Sequence, residues 1–123
     1  MSSGQGELRD RTKSFALRVI HLVRRLGKDD VSSVISKQVL RSGTSVGAQY
    51  REAYRARSAA EFVSKVESAA QEMDETLYWF ELLSDAEVIP AAKLSGLMDE
   101  GKQILAMLSA SARTAKAAKG NRK

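Results

Sequence analysis

Apolar residues recur along most of this chain at alternating spacings of three and four, the pattern of helices that each bury one face. From Glu7 to about Leu26, the residues Leu8, Thr12, Phe15, Val19, Leu22 and Leu26 make one such face, and Ala16, Ile20 and Val23 form a second stripe beside it. Opposite them lie Arg11, Ser14, Arg18, His21, Arg25 and Lys28, and Gly27 is a natural stop. Asp29 or Asp30 then caps a second helix. In it Val31, Val34, Ile35, Val39, Ser42, Val46, Gln49, Tyr50 and Ala53 keep a rough helical period towards Ala56. Gly43, Ser45, Gly47 and Ala48 fall inside it, where each glycine costs about 1 kcal/mol relative to alanine. They read as small residues admitting a neighbouring backbone, with a kink as the alternative.

Ser58 and Glu61 have the spacing of a capping box, so a third helix starts there and runs to about Asp85. Phe62, Val66, Ala69, Met73, Thr76 or Leu77, Phe80 and Leu83 form its near-heptad stripe. Pro90 suits the first turn of a fourth helix. Leu94, Leu97, Gly101, Ile104 and Leu108 carry its stripe, widened by Met98, Leu105 and Ala112. The short connections place consecutive helices antiparallel. The expected fold is all-α, an antiparallel up-down four-helix bundle over residues 7–112. It follows a flexible N-terminus (1–6) and precedes a basic C-terminal tail (113–123) without large apolar residues, either a frayed helical extension or a disordered segment.

Charge changes this picture more than composition does. Residues 1–57 carry 12 Lys/Arg against five acids, residues 58–112 three against 10, and the tail five against none, so the net charges are +7, −7 and +5. A positive hairpin beside a negative one is explained by attraction within the bundle or between subunits; the other reading is a basic face that draws phosphates. With no cysteine, disulfides and thiolate metal sites are excluded. No apolar run approaches the roughly 18 residues of a membrane span. The first six residues lack the apolar core of a signal peptide, so the expected location is the cytoplasm.

Catalytic chemistry finds no footing. Glu72 and Glu75 are three apart, but neither belongs to the Glu-x-x-His pair of a di-metal bundle, and the single histidine, His21, falls on the arginine stripe. No nucleophile–histidine arrangement or phosphate-binding glycine loop is present. The chain is therefore expected to be no enzyme and to need no cofactor or metal. Arg41, beside the small-residue stretch, is expected to pair with acids of the third helix such as Glu72 or Glu75.

The run Leu40-Arg41-Ser42-Gly43-Thr44-Ser45-Val46-Gly47-Ala48-Gln49-Tyr50-Arg51-Glu52-Ala53, then Ser58-x-x-Glu61-Phe62-x-x-Lys65, then Glu72-x-x-Glu75-x-x-x-Trp79, resembles the 23S-rRNA intervening-sequence proteins, over most of the chain. Gln49 stands where that family usually has asparagine. The resemblance implies a four-helix bundle assembled into a homo-oligomeric ring, typically a pentamer. It also implies kinship with the accessory proteins of diversity-generating retroelements, which bind a reverse transcriptase and nucleic acid.

The function expected on these grounds is a non-enzymatic, homo-oligomeric scaffold that binds nucleic acid electrostatically, RNA ahead of DNA. The alternative is a protein-interaction adaptor or reverse-transcriptase accessory without nucleic-acid binding of its own. Expected phosphate ligands are Arg11, Arg18, Arg25 and Lys28 on the first helix, and Arg55 and Arg57 at the end of the second. Arg113, Lys116, Lys119, Arg122 and Lys123 in the tail complete the set. Subunit contacts are expected at Ala16, Ile20, Val23 and Trp79.

Overall fold

The computed structural model of the chain describes residues 3–120, with side chains over 6–118. Among the described residues it contains four helices and no strand: α1 (Ser3–Arg24), α2 (Asp30–Tyr54), α3 (Ala59–Asp85) and α4 (Ala91–Gly120). Helix α4 continues without interruption past Ala112, so residues 113–120 prolong it. Contacts run α1 to α2, α2 to α3, α3 to α4, and more thinly α4 back to α1. Phe15 of α1 and Phe80 of α3 meet across the middle, with ring centroids 6.3 Å apart and planes tilted by 56°, a geometry aromatic quadrupoles favour. The core closes around them with Val19, Val39, Val46, Val66, Met73, Leu94, Ile104 and Leu108, all inaccessible to solvent.

The inward face of α2 differs from the apolar stripe in its sequence. The buried positions are Ser32, Ser36, Val39, Gly43, Val46, Tyr50 and Ala53, a regular alternation of four and three, with Ser42 buried beside them. Val31 and Val34 lie exposed, because two serines occupy the inward positions of the first two turns. Asp29 makes this tolerable for Ser32: its carboxylate accepts from the Ser32 backbone N–H at 3.1 Å and from its hydroxyl at 2.8 Å. These two bonds hold the Asp29 carboxyl below its ordinary pKa. The capping box of α3 forms with a shift: Ser58 accepts from the Glu61 N–H at 3.1 Å, but Glu61 reaches back to the N–H of Arg57, not of Ser58. Pro90 lies just before α4, and its carbonyl accepts from the Lys93 N–H at 2.9 Å.

Small residues set the distance between α1 and α2, and α2 runs through them as one helix. A Cβ on Gly43 would sit 2.9 Å from Cγ2 of Val19, and one on Gly47 would sit 3.3 Å from Oγ1 of Thr12. Gly101 does the same between α4 and α3, where a Cβ would meet Leu77 at 3.0 Å and Met73 at 3.2 Å. As α2 advances from Gly43 to Gly47, the α1 residue it meets steps back from Val19 to Thr12. The other neighbours show the same opposite stepping. Ser42 pairs with Thr76 and Glu52 with Lys65 between α2 and α3; Gly101 meets Met73 and Lys116 meets Glu67 between α3 and α4.

Polar bonds then lock the helices in register. Between α2 and α3, the buried Thr76 hydroxyl donates to Ser42 Oγ at 2.7 Å, and Ser42 donates onward to the Gln38 carbonyl at 2.9 Å. Above that pair Arg41 bridges Glu72, at 3.2 Å, and Glu75; the Trp79 indole N–H also donates to Glu75 at 3.1 Å. The anticipated Arg41 pairing is thus present. Between α1 and α4, Arg11 grips Glu100 with both arms of its guanidinium, at 2.9 and 2.7 Å, and donates to Gln103 at 2.9 Å. The Trp79 bond, with that from Arg41, holds the Glu75 carboxyl below its usual range, and the Arg11 bond does so for Glu100.

Among the described residues, the end of α3 carries the one non-glycine backbone with a positive φ. Val88 N–H bonds to Leu83 C=O at 2.9 Å and Glu87 N–H to Ser84 C=O at 3.0 Å, the paired bonds of a Schellman motif. The residue that must be left-handed there is glutamate, with φ of 59°. Left-handed backbone costs a residue with a Cβ roughly 1–2 kcal/mol.

Three outcomes follow from this packing. Gly43→Ala lowers stability by about 1 kcal/mol, because overpacking against a buried, stiff valine outweighs the helix propensity gained; Gly96→Ala, on an exposed part of α4, raises it by about 0.5 kcal/mol. Urea midpoints at constant m-value measure both, and a Gly43→Ala protein as stable as the Gly96→Ala protein would contradict the close contact. Glu87→Gly raises stability by about 0.5–1 kcal/mol by removing left-handed strain, while Glu87→Val lowers it. The acid dependence has a definite sign as well. Glu75 and Glu100 have depressed folded-state pKa values, so their contribution is complete above the unfolded value of about 4.3 and is lost as the pH falls below it. Melting temperature therefore drops between about pH 5 and 3, and Glu100→Gln flattens that slope; equal slopes would show that the Arg11 pair contributes nothing.

Candidate nucleic-acid interface

The cations of this chain divide by whether a carboxylate has reached them. Arg11 and Arg41 are engaged as described, Lys65 bonds Glu52 at 2.6 Å, and Lys116 bonds Glu67 at 2.6 Å. Arg11, which the stripe pattern placed among the phosphate ligands, thus spends its charge on the α1–α4 contact. Lys116 differs: both it and Glu67 are about half exposed, and such pairs contribute roughly 0–1 kcal/mol, so a phosphate can replace the glutamate at little cost. Among the described residues, no ion pair involves Arg18, Arg25, Lys28, Arg55, Arg57 or Arg113, and all six are exposed. The Lys119 side chain, Arg122 and Lys123 lie outside the described residues.

Two places gather unpaired cations. At one end of the bundle, Arg18, His21 and Arg25 of α1 and Lys93 of α4 line an open cleft of about 600 Å³. Its floor is apolar, made by Leu22, Leu26, Val88, Ile89, Pro90 and Leu97, and no carboxylate lines it. The helical period puts the three α1 residues on one face; the turn after α3 and the first turns of α4 supply the opposite wall. At the other end, Arg9 of α1 and Arg51, Tyr54 and Arg55 of α2 enclose a smaller cleft of about 230 Å³, again without a carboxylate. The Arg9 guanidinium lies 5.2 Å from the centroid of the Tyr54 ring, a cation–π contact. One turn deeper, Tyr50 is buried, and that burial pushes its hydroxyl pKa up, with the neighbouring Tyr54 adding to the rise and Arg9 opposing it.

The second cluster was only half visible in the sequence. Arg51 and Arg55 stand one turn apart on α2, but Arg9 arrives from α1, forty-odd residues away, and Tyr54 falls outside the apolar stripe. Nothing local joins the four. The pairing of the start of α1 with the end of α2 does, and that is a tertiary fact.

The residues expected at subunit contacts occupy two regions. Ala16, Ile20 and Val23 are half-buried on α1, beside Leu17, which is 48% exposed. Trp79 is half-buried and tied to Glu75, with the exposed Tyr78 ring 5.3 Å away. Among the described residues, no group of three or more His, Asp or Glu side chains gathers as metal ligands would. No described helix is long and apolar enough to cross a membrane.

No match is found among curated proteins. A crystal structure from Bacteroides thetaiotaomicron VPI-5482, described as a protein with unknown function from the S23 ribosomal protein family, superposes with a TM-score of 0.84 at 35% sequence identity. The match covers 89% of this chain and 98% of that one. The description "23S rRNA-intervening sequence protein" matches residues 6–110, a span that includes both glycines of the α1–α2 contact and every partner of Arg41. The chain belongs to the family of 23S rRNA-intervening sequence proteins.

Proposed function

We propose that this chain is a non-enzymatic, cytoplasmic scaffold that binds nucleic acid through its unpaired cations, RNA ahead of DNA. The observation that carries the reading is the pair of cationic clefts that no carboxylate lines, whereas Arg11 and Arg41, at the helix–helix contacts, are paired with carboxylates. Leaving several positive charges together without counter-charge costs stability, and a phosphate backbone relieves it by releasing its own counterions. No arrangement here reads base edges, so affinity comes from charge and not from sequence.

The opposite stepping of neighbouring contacts supports an antiparallel up-down bundle. A homo-oligomeric ring, typically a pentamer in the family resemblance, is supported by the charge division. With +7 on residues 1–57 and −7 on 58–112, a head-to-tail contact joins unlike hairpins and disfavours like ones. Such a ring would set several copies of each cleft around one axis, multiplying weak phosphate contacts. The second reading, an adaptor or reverse-transcriptase accessory of the kind found in diversity-generating retroelements, is favoured by the apolar residues Val31, Val34 and Tyr78, each more than half exposed.

A salt titration of full-length protein against labelled RNA and duplex DNA separates the two. Nucleic-acid binding predicts a log–log slope of about −3 or steeper, at roughly −0.7 to −0.9 per phosphate engaged. Replacing Arg18, Arg25 and Lys93 together by Gln lowers that slope by about 2. Failure of the wild-type protein to bind at low salt hands the function to the adaptor reading.

A further inference from the structure

We propose that Arg9, Arg51, Arg55 and Tyr54 form a seat for one unpaired nucleotide, the three guanidinium groups holding its phosphate while its base stacks on the tyrosine ring. This deepens the nucleic-acid reading and rests on it. The cluster assembles from two helices: Arg51 and Arg55 one turn apart on α2, and Arg9 brought over from α1 until its guanidinium lies 5.2 Å from the Tyr54 centroid.

The neighbouring acids do not line the cleft: neither Asp10, next to Arg9, nor Glu52, between Arg51 and Tyr54, is among its walls, and Glu52 pairs with Lys65 of α3 at 2.6 Å. What is left is a cleft lined by three permanent cations and one aromatic ring. At about 230 Å³ it is smaller than the roughly 300–1,000 Å³ pockets that engulf a whole ligand. It suits a phosphate group, which planar guanidinium forks grip in pairs, with the rest of the nucleotide outside.

Tyr54 supplies what lies outside. The inward positions at this end of α2 are filled by Tyr50 and Ala53, both about 1% exposed, so the core makes no use of Tyr54. Tyr54 as a residue is 45% exposed beside the cations, leaving it aromatic surface on which a base can stack. A paired base has both faces covered by its neighbours in the helix and cannot use that surface. The seat therefore selects for strandedness. The contacts that define the seat, to phosphate and to a base face, are common to RNA and DNA, so single-stranded DNA should be held as well as single-stranded RNA. A preference for RNA would then reflect its looped and unpaired segments.

The test is fluorescence anisotropy with the full chain and a labelled 12-nucleotide RNA of non-pairing sequence, run alone and annealed to its complement. Tyr54→Leu should weaken single-strand binding by about 5- to 100-fold, leaving duplex affinity and the salt slope unchanged; Tyr54→Phe should retain binding. Arg51→Gln with Arg55→Gln should lower the single-strand salt slope by about 1.4. If the wild type binds and Tyr54→Leu weakens both forms equally, or neither, the seat is refuted while nucleic-acid binding stands. If the wild type binds neither form at low salt, both readings fall. Unchanged urea midpoints, expected for so exposed a side chain, confirm that the variants are folded.

Discussion

The structure depends first on how closely α1 can lie against α2. Gly43 lets Val19 approach to a distance at which a Cβ would collide, Gly47 lets Thr12 come to where a Cβ would be tight, and this contact sets the spacing of the two helices. Two glycines inside a helix cost about 2 kcal/mol of propensity. That cost is borne because nearly every central layer follows from the approach. Val19 seats over Gly43, Phe15 reaches Phe80 across the diagonal, and Gly101 lets α4 close over Met73 and Leu77 from the far side. A wider α1–α2 spacing would open voids at several layers at once, since interiors are packed to crystal-like density.

The polar seam between α2 and α3 is the second constraint, and it draws on residues of the run that resembles the family in sequence. Arg41, Ser42, Glu72, Glu75, Thr76 and Trp79 are scattered over nearly forty residues of sequence but converge on one stretch of the α2–α3 contact. An apolar contact tolerates sliding by one turn; a buried hydroxyl pair beneath a forked ion pair does not, because slipping would leave buried donors and acceptors unmatched. These residues act on register. Their work is structural, and it leaves the cations outside the seam free for other uses.

How much of this was legible in sequence depends on what each feature is made of. The stripes of α4 and of α3 from Val66 onward could be read from the sequence, because their inward residues are mostly apolar and heptad-spaced; in the first turn of α3 the buried residue is Val63 and the expected Phe62 is half-buried. The start of α2 could not, because Ser32 and Ser36 occupy inward positions while Val31 and Val34 point out. Hydrophobicity misleads there; the helical period, carried back from Val39, Val46 and Tyr50, does not. The Arg41 pair was legible because both acids lie three apart on the facing helix. Glu87 was not, since glutamate carries no hint of a left-handed backbone and glycine would have been expected. The Arg9–Tyr54 cluster was invisible for a different reason. Its members satisfy no local pattern, and only the folding of α1 onto α2 brings them together.

Charge ties the two constraints to function. Residues 1–57 hold an excess of cations and residues 58–112 an excess of acids, so folding α1–α2 onto α3–α4 neutralises whichever cations face across the seams. Arg11 and Arg41 are spent in this way, each at a helix–helix contact. Among the described residues, other cations stay unpaired along the exposed faces, Lys13 and Lys102 in mid-helix among them, and two groups of them line clefts at opposite ends of the bundle. The acids that hold register at the middle do not line those clefts. An anion arriving from outside meets its strongest attraction there, and the end that carries an exposed aromatic ring among its arginines can engage a base as well as a phosphate.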